Sequence, residues 1–188
     1  MRSLLDKKDN SKRNQLILGI GLIIIMVFST MGYALSGRDN KNNEKINYKN
    51  IEFIKDNSGY WRFNINGNEF LTKYNPLEIQ DIKFKGNLKL LDLQDKPLYF
   101  AGDSNEPFIE IARNIEKFVL RMQNACVSEE DCEGDLPIKN CFKDNVIVIK
   151  EAEGNETIYQ QGNCIFIKAD FVNQTKYVDK FIYDLLEV

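Results

Sequence analysis

The sequence predicts an α+β domain, a mostly antiparallel sheet with two packed helices, preceded by one N-terminal transmembrane helix. Three observations predict this class. Residues 16–33 form an apolar run that is long enough to cross a bilayer. Alternating aromatic and β-branched segments follow it, separated by turn residues such as Asn-Gly. Two later segments instead repeat apolar residues at helical spacing.

The apolar run has two interpretations, because a cleaved signal peptide also combines positive charge with an apolar stretch. Cleavage after the small residues Ala34-Leu35-Ser36 would leave Gly37 as the mature N-terminus. The run is long for a signal core, and this favours a retained anchor. Lys12 and Arg13 directly precede the run, so we expect a cytoplasmic N-terminus and a single-pass protein whose C-terminal domain lies outside the cell membrane.

Composition divides the chain into four segments. A polar stretch with almost no apolar side chain follows the apolar run and indicates a flexible stalk. The residues beyond it suffice for one domain with a hydrophobic core. The predicted segments are a cytoplasmic N-terminus at 1–15, a transmembrane anchor or signal peptide at 16–36, a stalk at 37–49 and an extracytoplasmic α+β domain at 50–188.

Strand signals dominate the first part of the domain. Asn66-Gly67 lies between two alternating segments, and a type I′ turn requires positive φ at both central residues, so a hairpin is predicted over 60–74. Its register places Phe63 opposite Phe70, with the aromatic residues on one face. A second hairpin is predicted over 81–90.

Helix signals alternate with strands in the second part. Asp103 can cap a helix whose apolar stripe continues to Met122, and a closing helix is predicted to begin near Asn173 or Thr175. The remaining predicted strands are short and mostly rich in β-branched or aromatic residues: 97–101, 145–149, 157–160 and 164–168.

The chain contains no histidine. This excludes a nucleophile activated by imidazole and removes the commonest catalytic metal ligand. The serines from residue 37 onward are Ser58, Ser104 and Ser128, each at a predicted turn or helix boundary where the hydroxyl serves the backbone, so a Ser/Lys dyad is not favoured. The sequence therefore predicts no catalytic residue, no cofactor and no metal site.

Charge argues against a nucleic-acid partner. From Gly37 onward, 20 Lys and Arg face 26 Asp and Glu, and no basic stripe interrupts this acidic balance. The acidic run from Glu129 to Asp135 offers carboxylate oxygens to calcium, but it lacks the alternation of an EF-hand loop, and a solvated loop is the simpler interpretation. Tyr60 and Trp61 are the candidate ligand contacts, because exposed aromatic rings supply large contact areas, although alternation in a hairpin usually places such rings in the core.

Four cysteines, Cys126, Cys132, Cys141 and Cys164, are predicted to form two disulfides. Their spacing contains no Cys-x-x-Cys, which argues against a thioredoxin-like or zinc site, although redox and zinc roles stay open. Of the three possible pairings we favour Cys126 with Cys132, which closes a small loop. Cys141 with Cys164 then joins the entry of the terminal three-stranded segment to its last strand.

Several segments together resemble a group of uncharacterised archaeal membrane-anchored proteins. The segments are the basic N-terminus, the single apolar run, the Trp-containing hairpin ending in Tyr74-Asn75-Pro76, the Cys126, Cys132 and Cys141 cluster, Gly162-Asn163-Cys164-Ile165, and Asp179-Lys180-Phe181-Ile182-Tyr183. The resemblance covers most of the chain. It implies a single-span exported domain and no known activity.

The expected function is that of a non-enzymatic, membrane-anchored domain that binds another envelope or surface component. A small-molecule ligand is left undetermined. One alternative is an extracytoplasmic thiol oxidoreductase or other enzyme, which requires a reduced, reactive cysteine. Another is a pilin-like filament subunit, although the residues before the apolar run lack the small residue after which a prepilin peptidase cuts.

Overall fold

The structure is a computed structural model. It describes residues 11–36, 44–102, 105–130, 132 and 134–188. The chain forms two units, 1–42 and 43–188. The described residues of the first unit form one helix, α1 (Ser11–Ser36). Among the described residues, no helix combines the length and the apolar character that a membrane crossing requires. The predicted transmembrane span is therefore not confirmed.

The second unit begins with a four-stranded antiparallel sheet. Its strands pair in chain order and are β1 (Lys45–Tyr48), β2 (Ile51–Lys55), β3 (Trp61–Ile65) and β4 (Asn68–Thr72). The prediction of a flexible stalk at 37–49 is wrong for its second half, because β1 lies inside this range. This strand folds because Ile46 and Tyr48 pack against the core of this sheet. The rest of the predicted stalk, 37–43, lies outside the described residues.

The predicted hairpin at Asn66-Gly67 is confirmed. Both turn residues have positive φ, 51° at Asn66 and 78° at Gly67, as a type I′ turn requires. The register pairs Phe63 with Phe70. Both aromatic rings are buried, so the alternation read from the sequence marks the core face of the hairpin.

The elements that follow β4 are β5 (Phe84–Lys85), α2 (Leu90–Leu93), β6 (Pro97–Ala101), α3 (Asn105–Ile115), a 3-10 turn (Glu116–Phe118), β7 (Arg121–Asn124), β8 (Asn145–Lys150), β9 (Thr157–Gln161), β10 (Cys164–Lys168) and α4 (Gln174–Leu185). Their six strands form a mixed sheet in the order β5-β9-β10-β8-β6-β7. Only β9 and β10 pair antiparallel; the other neighbours run parallel.

The α+β class is confirmed, but the prediction of a mostly antiparallel sheet holds only for the four-stranded sheet. The larger sheet is mainly parallel because α3 carries the chain from β6 to β7, while the β9–β10 hairpin folds back and places β10 beside β8. The described residues contain four α-helices, α1 to α4, whereas the sequence predicted α1 and two packed helices.

Two local predictions are also corrected. The segment 81–90 forms no hairpin: Phe84 pairs with Ile158 of β9, and Leu88 packs into the main core instead of a returning strand. The helix predicted to continue to Met122 ends at Ile115, although Met122 packs against the same core from β7. The predicted cap Asp103 lies outside the described residues.

Helices α3 and α4 lie between the two sheets. One side of the pair packs on the six-stranded sheet, where Ile111 and Phe181 belong to the same hydrophobic core as Ile147. The other side packs on the four-stranded sheet, where Tyr183 meets Phe63. Both helices are therefore enclosed on two sides, and polar side chains on them need partners inside the domain.

Candidate functional site

A cleft lies at the carboxyl ends of β6, β7 and β8. These neighbouring strands run parallel, so their last residues, Ala101, Asn124 and Lys150, reach the same edge of the sheet. The cavity has a volume of about 800 Å³. It is lined by Phe100, Ala101, Gly102, Asn124, Ala125, Cys126, Val127, Glu130, Cys132, Leu136, Lys150, Glu151, Ala152 and Glu153.

The chain leaves β6 and β8 in opposite directions along the sheet. After β6 it passes through α3 to β7, and after β8 it continues to β9 and β10 on the other side. Parallel neighbours whose connections diverge leave a crevice at their carboxyl ends, and open α/β sheets bind ligands in such crevices. The cleft lies at this topological switch point.

Gly102 allows β6 and β8 to approach closely at the base of the cleft. Its φ is 118°, a conformation that side chains with a Cβ rarely adopt, and an added Cβ would collide with the carbonyl oxygen of Ile149. Any other residue would push the ends of the two strands apart. The base of the cleft therefore depends on this glycine.

The charged residues that line the cleft are mostly acidic. Glu130, Glu151 and Glu153 are exposed there, and Lys150 is half-buried beside them. Three carboxylates against one ammonium group give the opening a negative potential, which attracts cationic groups and repels anions. A ligand with positive charge or many hydrogen-bond donors suits this lining.

The predicted disulfide pairing is confirmed. Cys126 bonds to Cys132 with a Cα–Cα distance of 5.4 Å, and Cys141 bonds to Cys164 at 4.9 Å. The first disulfide lines the cleft, and the second ties the segment after β7 to the start of β10. All four cysteines of the chain are thus paired, which indicates an oxidising, extracytoplasmic environment.

The other predicted candidates lie in different places. Trp61 is 1% exposed and packs in the core of the four-stranded sheet, so its ring offers no surface to a ligand. Tyr60 is half-buried, and the guanidinium of Arg113 lies 4.7 Å from its ring centroid. Neither residue lines the cleft.

The described carboxylates of the acidic run are not arranged as a cation site. Glu129 and Glu130 are exposed, and Asp131 and Glu133 lie outside the described residues. Within the described part of the chain, no group of three or more carboxylate or cysteine side chains is arranged to hold a metal ion.

A second polar cluster, which the sequence did not predict, lies between the helices and β4. Asn114 of α3 is 1% exposed and bonds both backbone groups of Leu71: its Nδ2 donates to the carbonyl at 2.7 Å, and its Oδ1 accepts from the amide at 2.8 Å. The hydroxyl of Tyr183 donates to the carbonyl of Tyr74 at 2.8 Å and lies 2.5 Å from the hydroxyl of Thr72. Burial raises the pKa of Tyr183 well above its ordinary value.

Two buried carboxyls complete this cluster. Glu110 of α3 is 2% exposed and Asp179 of α4 is fully buried. Asp179 Oδ2 accepts hydrogen bonds from the amides of Lys73 at 2.9 Å and Tyr74 at 2.8 Å, and Glu110 Oε2 accepts one from Arg113 at 2.9 Å. Burial raises the pKa of both carboxyls, and the charge of Glu110 raises that of Asp179 further.

The sequence carries a faint signal for this cluster. Glu110 and Asn114 stand four residues apart on α3, each directly before an apolar position of the stripe, Ile111 and Ile115. Polar residues beside an apolar stripe usually face solvent, so the spacing alone does not reveal that a second sheet covers them.

Comparison of the chain with protein-family models, curated proteins and solved structures finds no match. The interpretation of the cleft therefore rests on its position in the sheet, its charge and its walls. The interpretation of the carboxyl cluster rests on burial and hydrogen bonding.

Proposed function

We propose that residues 45–188 form a non-enzymatic binding domain outside the cell membrane, and that its ligand occupies the cleft at the carboxyl ends of β6, β7 and β8. The observation that carries this proposal is the position of the cleft at the topological switch point of a largely parallel sheet. The cleft has a volume of about 800 Å³, within the range of small-molecule pockets, and it could also take the side chains of a partner segment.

The proposed ligand is cationic. Of the charged residues that line the cleft, Glu130, Glu151 and Glu153 outnumber Lys150. A positively charged loop of an envelope protein, or a small amine, complements this lining. The Cys126–Cys132 disulfide then serves as a covalent wall of the cleft, because it fixes the loop that carries Glu130.

The same proposal includes a retained N-terminal anchor with the N-terminus in the cytoplasm. Its support is the apolar run at 16–33 and the adjacent Lys12 and Arg13. The resemblance to archaeal membrane-anchored proteins agrees with this arrangement. The paired cysteines agree with an external position of the domain.

Site-specific photocrosslinking in cells tests the cleft. A benzophenone amino acid replaces Leu136, which lines the cleft and is 40% exposed. The matched control is Leu91, which is 76% exposed and lies on α2, before β6 and thus at the opposite edge of the sheet. We expect a discrete adduct from position 136 and none from position 91.

Charge removal then tests the class of ligand. Glu151→Gln with Glu153→Gln, introduced together with the crosslinker at position 136, is expected to reduce the adduct several-fold, because two of the three carboxylates disappear. Equal adducts from positions 136 and 91, or none from position 136, would exclude the cleft as the binding site. An adduct that is insensitive to the two Gln substitutions would exclude a cationic ligand.

Intact mass measurement tests the anchor and the disulfides. The chain is extracted from its own membranes after alkaline washing and is alkylated without reduction. The expected result is a full-length mass with no alkylated thiol. A mass that begins at Gly37 would show a released domain and refute the anchor, and alkylated cysteines would refute the structural pairing and favour thiol chemistry.

A further inference from the structure

We propose that Glu110 and Asp179 share a single proton, and that the protonated pair holds α3, α4 and the end of β4 together at acidic pH. We call this pair the latch. The two carboxyls are buried where the two helices pack together, and each has one oxygen that accepts a hydrogen bond and one that does not. The latch is independent of the proposed ligand and would operate in the domain whether or not the cleft is filled.

The unsatisfied oxygens are the geometric basis of the proposal. Among the described residues, three buried side-chain oxygens accept no hydrogen bond, namely Glu110 Oε1, Asp179 Oδ1 and Asp184 Oδ2. The first two belong to Glu110 and Asp179, whose carboxyls interact with each other where α3 packs on α4. A carboxylate oxygen without a donor is costly inside a protein. One proton between Glu110 Oε1 and Asp179 Oδ1 satisfies both atoms at once.

The surrounding charges place that proton on Asp179. Arg113 bonds Glu110, and its guanidinium stabilises the negative charge there. Asp179 instead receives two backbone amides, which a neutral carboxyl can also accept through its carbonyl oxygen. A neutral Asp179 therefore donates from Oδ1 to the Glu110 carboxylate, and every oxygen of the pair has a partner.

Other titratable and charged groups surround the pair from each packed element. Glu106 and Arg113 on α3, Tyr183 on α4 and Lys73 after β4 interact with the pair itself. Tyr60 before β3 interacts with Arg113, and Glu78 after β4 interacts with Tyr183. Lys73 and Glu106 are largely exposed and screened by solvent. Arg113 is thus the charge that most directly fixes which carboxyl keeps the proton.

The sign of the pH effect follows from proton linkage. In the unfolded chain Asp and Glu have a pKa of about 4. In the folded domain the pKa of both carboxyls is raised. At pH values between the unfolded pKa and the folded pKa, the folded state therefore binds more protons than the unfolded state. The contribution of the pair to stability is present below about pH 4 and is lost as pH rises through the folded pKa. Ionisation leaves two like charges buried side by side, and their repulsion destabilises the packing of α3 and α4 against the end of β4.

Unfolding of the full-length chain at a series of pH values tests the latch. Trp61 is the single tryptophan and is buried, so its fluorescence reports unfolding of the domain in urea. If the folded state holds one more proton than the unfolded state, the pair raises the unfolding equilibrium constant of the domain about tenfold per pH unit above about pH 4, until the pair ionises. Asp179→Asn replaces the protonated carboxyl with a neutral amide that can still donate to Glu110. We expect it to lower the slope of the logarithm of the unfolding equilibrium constant against pH by about one.

Two further measurements complete the test. Asp184→Asn, a substitution on the same helix at a residue paired with Lys180, is the control and should leave the slope unchanged. Infrared spectra of the folded wild type should show a protonated-carboxyl band at neutral pH that Asp179→Asn abolishes; if that variant does not fold, Glu110→Gln should shift the band, because the proton on Asp179 then loses its charged acceptor. Identical slopes in wild type and Asp179→Asn, or no such band, would overturn the proposal. Destabilisation by EDTA that calcium reverses would assign a cation to the pair instead and overturn it as well.

Discussion

Asn114 closes the free edge of the four-stranded sheet, and its removal tests how much this closure stabilises the domain. Strand β4 ends the sheet, so among the described residues its outward backbone groups have no partner strand. Asn114 supplies a donor and an acceptor to Leu71, and its Nδ2 also donates to the carbonyl of Glu110 at 2.9 Å. We predict that Asn114→Ala destabilises the domain strongly.

The magnitude follows from the groups left behind. The substitution leaves the amide and the carbonyl of Leu71 without their partner in a partly buried position. Each unsatisfied buried group costs about 1 to 3 kcal/mol, and about 1.5 kcal/mol for partial burial gives a total of about 3 kcal/mol. This equals an increase of about 100-fold in the unfolding equilibrium constant. It is a large part of the roughly 5 to 15 kcal/mol that a domain has in total.

Urea unfolding followed by Trp61 fluorescence measures this cost at a fixed pH. Asn145→Ala is the matched control, because Asn145 is half-buried and its side chain donates a single long bond, 3.4 Å, to the carbonyl of Pro97. The control should cost less than about 1 kcal/mol. Equal costs for the two variants would refute the argument that side chains of α3 close the edge of β4.

The remaining predictions concern covalent and backbone constraints. Replacing Cys141 and Cys164 with Ala should cost about 3.4 kcal/mol, and replacing Cys126 and Cys132 about 2.2 kcal/mol, because the sequence separations are 23 and 6 and the larger loop loses more entropy when closed. Thermal melting of the two double variants checks this order, and a greater loss for the smaller loop would contradict the loop-entropy account. Gly67→Ala should cost about 1 to 2 kcal/mol from backbone strain alone, since φ is 78° and no atom of the described residues lies within 4 Å of the added methyl; an unchanged melting temperature would contradict this interpretation of the turn.

Local features of the fold could be predicted from the sequence. The β3–β4 hairpin depends on Asn66-Gly67 and on strands that directly flank it, so its register follows from adjacent residues. The closing helix, predicted near Asn173 or Thr175, begins at Gln174. Its apolar spacing is complete within its own 12 residues. Both features are specified by contacts close in sequence.

Strand order could not be predicted in the same way. Strand β5 pairs with β9, whose residues lie more than 70 positions later, and no local pattern at Gly86-Asn87 distinguishes this pairing from a hairpin. The parallel pairs among β6, β8 and β10 depend on how crossovers return the chain to the sheet. The cleft is formed by the ends of three strands that this order brings together. Its position could therefore not be predicted from the sequence either.

The polar residues of α3 and α4 have a common physical explanation in the layer arrangement. A helix enclosed by two sheets gains most from apolar side chains on both faces, yet Glu110, Asn114 and Asp179 are buried there. The edge of β4 meets the helices at this point, and its backbone groups require donors and acceptors that apolar residues cannot supply. Asn114 satisfies both groups of Leu71, and Asp179 satisfies two amides just beyond β4. Because Asp179 is buried for this purpose beside Glu110, the closure of the sheet edge brings two carboxyls into contact, and the proton that they share follows from the architecture.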